Sequence, residues 1–235
     1  MATVGLIGGI APESTIDYYR RIVAGYREHR PTGDPAIVIN SISLGRLLRL
    51  AGANELDELT SYLLAELARL ERAGADFGLL ASNTPHIVFD RVSRDSPIPL
   101  ISIVEATAAA AGAQGYATVG LLGTRFTMEG GFYPPVFARR GMTVVLPTAA
   151  ERDYVHGKYM GELVQGSFLP ATRAGFVTVT QALRERERVD AVVLGGTELP
   201  LLLREASDLP CPMLDTTAIH VASAVRRLLE LEGAA

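Results

Sequence analysis

The chain repeats itself, and the repeat limits the folds open to it. Ala2-Thr-Val-Gly-Leu-Ile-Gly-Gly9 returns as Ala117-Thr-Val-Gly-Leu-Leu-Gly-Thr124, 115 positions later. Asp76-Phe-Gly-Leu-Leu-Ala-Ser-Asn-Thr84 pairs with Asp190-Ala-Val-Val-Leu-Gly-Gly-Thr-Glu198 at a shift of 114. Pro99-Leu-Ile-Ser-Ile-Val-Glu105 holds nearly the same register against Pro212-Met-Leu-Asp-Thr-Thr-Ala218, at 113. Three pairs at an almost constant offset divide the chain into two similar halves.

Each half follows one grammar: a short apolar run, then glycine or a small polar residue, then a helical pattern. Val4–Ile7, Ile37–Ile39 and Phe77–Ala81 read as strands buried on both faces; their counterparts are Val119–Leu122, Thr143–Leu146 and Ala191–Leu194. Runs of that kind belong to parallel sheets, and strand alternating with helix gives parallel α/β architecture. Ile16, Tyr19, Val23 and Tyr26 share one face of a helix starting near Ser14, and Leu56, Leu59, Leu63 and Leu67 share a face of another that ends near Gly74. The first lobe is expected over 1–100 plus a returning tail at 212–235, the second over 101–211.

The remaining composition narrows the class. With 235 residues, 48% of them hydrophobic, the chain can bury a sizeable core. A net charge of −4 and no basic patch exclude nucleic-acid binding. No apolar run reaches the roughly 20 residues of a membrane span, and the N-terminal run lacks the basic region and cleavage site of a signal peptide. A single cysteine, Cys211, excludes an intrachain disulfide and fits a reducing, cytoplasmic setting.

Parallel α/β sheets bind ligands beyond the carboxyl ends of their strands. Those ends are Gly8-Gly9, Asn40-Ser41, Ser82-Asn83-Thr84, Gly123-Thr124, Pro147-Thr148 and Gly196-Thr197-Glu198. The loop Gly8-Gly-Ile-Ala-Pro-Glu-Ser-Thr15 opens a helix and by itself reads first as a structural turn with Ser14 or Thr15 capping; its backbone N–H groups can also receive a carboxylate or phosphate. Ser82 is a candidate proton carrier if a base lies near, His86 being the one at hand, while Ser82 and Asn83 also suit a plain strand-to-helix turn. Thr124 and Thr127 can donate to a carboxylate, or Thr127 can cap the next helix. Glu198 can serve as acid, base or amine anchor. Arg46 can pair with a distal carboxylate or simply face solvent. His156 and Lys158 read as solvated, Tyr133 as packing, and Cys211 as a buried structural thiol. The four histidines lack metal-ligand spacing.

The loop from Gly8 to Thr15, followed by Tyr18-Tyr19, resembles the Gly-Gly-Met-Gly-Pro-x-Ala-Thr opening of aspartate/glutamate racemases. Ser82-Asn83-Thr84-Pro85-His86 resembles their Cys-Asn-Thr-Ala-His motif, and Gly195-Gly196-Thr197-Glu198-Leu199-Pro200 their Gly-Cys-Thr-Glu-Ile/Leu-Pro motif. The resemblance runs from about Val4 to Val225. It implies two pseudo-symmetric α/β lobes with the active site between them and a small carboxylic or amino acid as partner. No pyridoxal phosphate or metal is implied, and a homodimer is left open. It also implies two thiols on opposite faces of the substrate α-carbon, one taking a proton and one giving it. Here Ser82 and Gly196 occupy those positions, an alcohol and bare backbone, so two-thiol proton transfer is excluded. Gly9, Ile10, Arg46, Asn83, Thr84, Thr124, Thr127, Gly196 and Thr197 are the implied substrate-binding positions, with Ser82 and Glu198 left to carry chemistry. Three functions fit: an isomerase with substitute groups, a lyase or decarboxylase using Ser82 or Glu198, or a carboxylate-binding protein without turnover.

Overall fold

A computed structural model describes residues 1–203 and 209–233. In chain order the first elements are β1 (Thr3–Gly8), α1 (Pro12–His29), β2 (Ala36–Ser41), α2 (Leu44–Gly52), α3 (Leu56–Arg72), β3 (Phe77–Leu80), α4 (Phe89–Asp95) and β4 (Leu100–Ile101). There follow α5 (Ile103–Ala113), β5 (Thr118–Gly123), α6 (Arg125–Glu129), α7 (Tyr133–Ala138), β6 (Thr143–Val145), α8 (Ala149–Gly161), α9 (Pro170–Glu187), β7 (Ala191–Gly195), α10 (Leu199–Leu202), β8 (Met213–Asp215) and α11 (Thr216–Gly233). Two compact units result. One comprises Met1–Ile103 and the chain from Thr217 onward, the other Val104–Thr216.

Both sheets are parallel and have the same strand order, β2-β1-β3-β4 in the first unit and β6-β5-β7-β8 in the second. The repeat extends to single hydrogen bonds. The Thr3 N–H donates to the Asp76 carboxylate at 2.7 Å, and the Thr118 N–H to Asp190 at 2.9 Å. The N–H groups of Asp76 and Asp190 return bonds of 2.8 Å to the carbonyls of Thr3 and Thr118. Gly78 donates to the Pro99 carbonyl as Val192 does to that of Pro212, which carries the weakest sequence pair into the fold.

Strand alternation divides the core of the first unit into two layers. Val4, Leu6, Phe77 and Leu79 meet Tyr18, Ile22 and Tyr26 of α1 and Val221, Ala224, Val225 and Leu228 of α11. On the opposite face Gly5 and Gly78 have no side chain, and α3 closes down on them. A Cβ at Gly5 would lie 3.0 Å from Leu70, and one at Gly78 3.5 Å from Leu67. In the second unit a Cβ at Gly120 would come within 2.5 Å of Leu183 on α9, so the repeated glycine has the same packing role. Each such leucine, fully buried, contributes roughly 1.5–3 kcal/mol relative to an exposed one.

Most of the expected elements are present, with three local corrections. β2 and β6 are edge strands and are not buried on both faces; Ile39 and Thr143 are exposed. The buried stripe of α1 is Ser14, Tyr18, Ile22 and Tyr26, not the stripe through Ile16, Tyr19 and Val23; Ile16 and Tyr19 are exposed. Apolar residues lie on neighbouring faces of this helix, and the i, i+4 row that reaches His220 is the one buried. Neither Ser14 nor Thr15 caps α1, and Thr127 does not cap α6. Thr124 does, accepting the Thr127 N–H at 3.2 Å. On α3, Leu59, Leu63 and Leu67 are buried as read, with Leu70 extending the row before Gly74 at φ +89°. Among the described residues no helix is long and apolar enough to cross a membrane.

Candidate functional site

Strand order fixes where each unit can hold a ligand. The chain leaves β1 for β2 on one side and later returns to β3 on the other. The crevice of such a sheet opens where that direction reverses, beyond the carboxyl ends of β1 and β3. Gly8-Gly9 and Ser82-Asn83-Thr84 stand at those ends. The same reversal between β5 and β7 selects Gly123-Thr124 and Gly196-Thr197-Glu198.

In the first unit, Gly9 has φ +81°, and a Cβ there would meet Ser41 Oγ at 2.6 Å and the Ile42 carbonyl at 2.5 Å. Its N–H donates to Thr15 Oγ1 at 2.8 Å, and the Thr15 hydroxyl bonds the Ala11 carbonyl at 3.2 Å. The loop is thus tied from within, and the Gly9 N–H is committed to Thr15. Ile10 is buried beside it, whereas Arg46 is exposed, with its guanidinium 4.1 Å above the Tyr62 ring. Ser82, Asn83 and Thr84 are buried at the end of β3.

His86 is not the base for the Ser82 hydroxyl. Its Nδ1 lies 3.0 Å from the Ser82 backbone carbonyl, which can only accept, so Nδ1 carries the proton. Its Nε2 accepts the Ile103 N–H at 3.2 Å. Burial, aided by the neighbouring His220, pushes its pKa down to about 3 and keeps the ring neutral. His220 is fixed in the same way: Nε2–H donates to the Ile101 carbonyl at 2.9 Å, and Nδ1 accepts the Tyr18 hydroxyl at 2.8 Å. Burial lowers its pKa to about 4. Both imidazoles are structural struts.

In the second unit, Thr124 and Thr127 are buried, with their hydroxyl oxygens 3.2 Å apart. The Thr127 methyl covers Gly195, where a Cβ would lie 2.9 Å from it. At Gly196 the expected bare backbone is covered. A Cβ built there would lie 2.6 Å from the Tyr159 hydroxyl and 2.8 Å from its Cζ, with Cε2 nearer still. The end of the Tyr159 ring therefore fills the space into which a residue-196 side chain would point. Its hydroxyl donates to Glu198 Oε2, which also accepts the Thr197 hydroxyl at 3.1 Å. Tyr159, Thr197 and Glu198 are all buried. Burial and then the Glu198 charge hold the phenol well above its usual pKa, so Tyr159 stays protonated.

Tyr159 was missed in the sequence because it lies in α8, outside the repeated strand-end motifs. Val155, Tyr159 and Leu163 form a buried i, i+4, i+8 row, whereas His156 and Lys158, read as solvated, are half-buried, His156 Nδ1 accepting the Arg125 N–H and Lys158 donating to Glu162. Cys211 lies in the core of the second unit, and burial raises its thiol pKa, which suits packing rather than chemistry. Among the described residues no group of three or more His, Cys, Asp or Glu side chains is arranged to hold a metal ion.

Two parallel α/β units of the same strand order, each with small residues at its central strand ends, define a duplicated α/β fold. Residues 7–224 match the Asp/Glu/Hydantoin racemase family model, and the chain belongs to that family. The structure of a Yersinia pestis protein assigned to the Asp/Glu racemases is 33% identical, with a TM-score of 0.87, over 97% of this chain and all of that one. An aspartate racemase homologue from Pyrococcus horikoshii OT3 is also 33% identical, with a TM-score of 0.81, over 99% of this chain and 100% of its own. The broad specificity amino-acid racemase RacX of Bacillus subtilis (strain 168) is 22% identical over 96% of this chain and 98% of its own length.

Proposed function

We propose that this chain acts at the α-carbon of a small amino acid or related carboxylic acid, as a racemase-type enzyme that uses neither pyridoxal phosphate nor metal and replaces the two-thiol mechanism. The observation that carries the reading is family membership along nearly the whole chain, with Ser82 and Gly196 at the two thiol positions of the family motif. A serine hydroxyl is a far weaker acid than a thiol, whose reference pKa is about 8.5, so Glu198 is the stronger candidate for moving a proton. In the first unit Asn83, Thr84 and the loop at Gly9 and Ile10, and in the second Thr124, Thr127 and Thr197, supply short groups suited to a substrate carboxylate, with Arg46 for a distal one. The names of the relatives put aspartate and glutamate first among substrates to try. Both enantiomers of a panel of amino acids are incubated in deuterated water, with the α-proton followed by NMR and the configuration by chiral chromatography. Loss of the α-proton signal with at least one substrate is expected. An intact α-proton across the panel overturns the reading.

A further inference from the structure

Glycine at a position where relatives place a reacting side chain normally leaves a hole. Here the hole is filled by a group that carries a proton. The Tyr159 hydroxyl stands 2.6 Å from where a Cβ of residue 196 would be, inside the space that a side chain rooted there would occupy. It comes from α8, and Val155 and Leu163 lie in the same core cluster. That hydroxyl is hydrogen-bonded to Glu198, whose Oε2 also takes the Thr197 hydroxyl. Tyr159 and Glu198 form a buried phenol–carboxylate pair, braced by Thr197, on the strand end that the topology selects for ligand binding.

We propose that the Tyr159 hydroxyl is the proton carrier that takes over from the second thiol, with Glu198 as the carboxylate behind it. The inference rests on the α-carbon reading above and names the group that does the work. In the forward step the α-carbon–hydrogen bond breaks, and its electron pair remains on the carbon, spread into the substrate carboxylate. The released proton joins the phenol oxygen while the proton already on that oxygen passes to Glu198. The phenol ends as it began, neutral, and Glu198 becomes a carboxylic acid. In reverse, Glu198 returns its proton to the phenol, and the phenol protonates the carbanion. A free phenolate beside Glu198 is strongly disfavoured in this buried site, so passing one proton in as another leaves is the route open to this tyrosine.

The test uses the full chain with aspartate and glutamate, both enantiomers, and solvent deuterium exchange at the α-carbon. Tyr159→Phe keeps the ring in place and removes only the oxygen. It is expected to lower kcat for exchange at least about 100-fold, with KM within about threefold. Glu198→Gln is expected to do the same, and the double variant to be no worse than either single, because the two act as one unit. Tyr159→Ala combined with Gly196→Cys opens the space and installs a thiol. This variant is expected to regain exchange over Tyr159→Ala alone, with a pH profile governed by the new thiol. Wild-type kcat in Tyr159→Phe overturns the role of Tyr159 and leaves the α-carbon reading standing. An inert wild type overturns both.

Discussion

Replacing Gly196 by alanine places a carbon 2.6 Å from the Tyr159 oxygen and 2.8 Å from Cζ, inside any real contact distance. The ring cannot retreat freely, because Tyr159 is buried and its hydroxyl is held by Glu198. Overpacking of this kind costs about 1–3 kcal/mol, and Gly196→Ala is expected to lose that much in urea unfolding. In a Tyr159→Ala background, which already has a cavity there, the same substitution is expected to be neutral or stabilising. The difference between the two backgrounds measures the contact itself. An equal loss in both backgrounds would show that glycine is needed for its backbone and not to admit the ring.

At the level of elements, the strands were readable because parallel sheets demand apolar runs, and the halves because both sheets retain the same glycines. Gly5 and Gly120 each let a helix leucine approach, and Asp76 and Asp190 each bind the start of the neighbouring strand. The face of α1 differs from the expected one because two apolar rows compete, and packing on β1, β3 and the distant α11 decides between them. Strand-end residues such as Ser82 and Glu198 were legible from position alone, whereas Tyr159 reaches its place by tertiary packing across α8 and β7, which no local spacing encodes. The Asp190 clasp can be measured. Its carboxylate accepts the N–H groups of Thr118 at 2.9 Å and Ala117 at 2.8 Å, and these bonds hold its pKa below the usual value. A depressed carboxylate stabilises the fold above the unfolded-state pKa of about 3.9, and loses that contribution as pH falls through the lower folded value. The side chain is exposed, so Asp190→Ala is expected to cost only about 1 kcal/mol at pH 7. The gap from wild type should close as unfolding is measured at pH values progressively below that of a free aspartate. A constant gap down to pH 2 would assign the effect to the backbone of the turn.

For the molecule as a whole, the two buried imidazoles set the acid limit. Tyr18 from α1, His220 from α11, the carbonyl of Ile101 in β4, His86 after β3 and the N–H of Ile103 form two linked chains of hydrogen bonds, which fasten the C-terminal helix to the first unit. Each ring donates from one nitrogen and accepts at the other, so a second proton has no acceptor and must break a bond. Burial keeps the folded pKa values near 3 and 4, whereas an unfolded chain binds those protons near 6.5. Between roughly pH 4 and 6.5 these two rings therefore bind up to two more protons in the unfolded state than in the folded one, and His156, its pKa also lowered by burial, adds in the same direction. Stability is present above that window and falls with pH, by up to about 1.4 kcal/mol per pH unit for each histidine. Urea unfolding at pH 7 and pH 5 is expected to differ by roughly 3–4 kcal/mol, with most carboxylates still ionised. His220→Gln, which keeps a donor for Ile101 and does not titrate, is expected to reduce the slope by about half. Direct measurement of proton uptake on unfolding at pH 5.5 gives the same quantity without a variant. A stability curve that stays flat from pH 7 to 5 would mean that these rings find room for a second proton, and that the hydrogen-bond chain binding α11 to its unit is looser than the geometry describes.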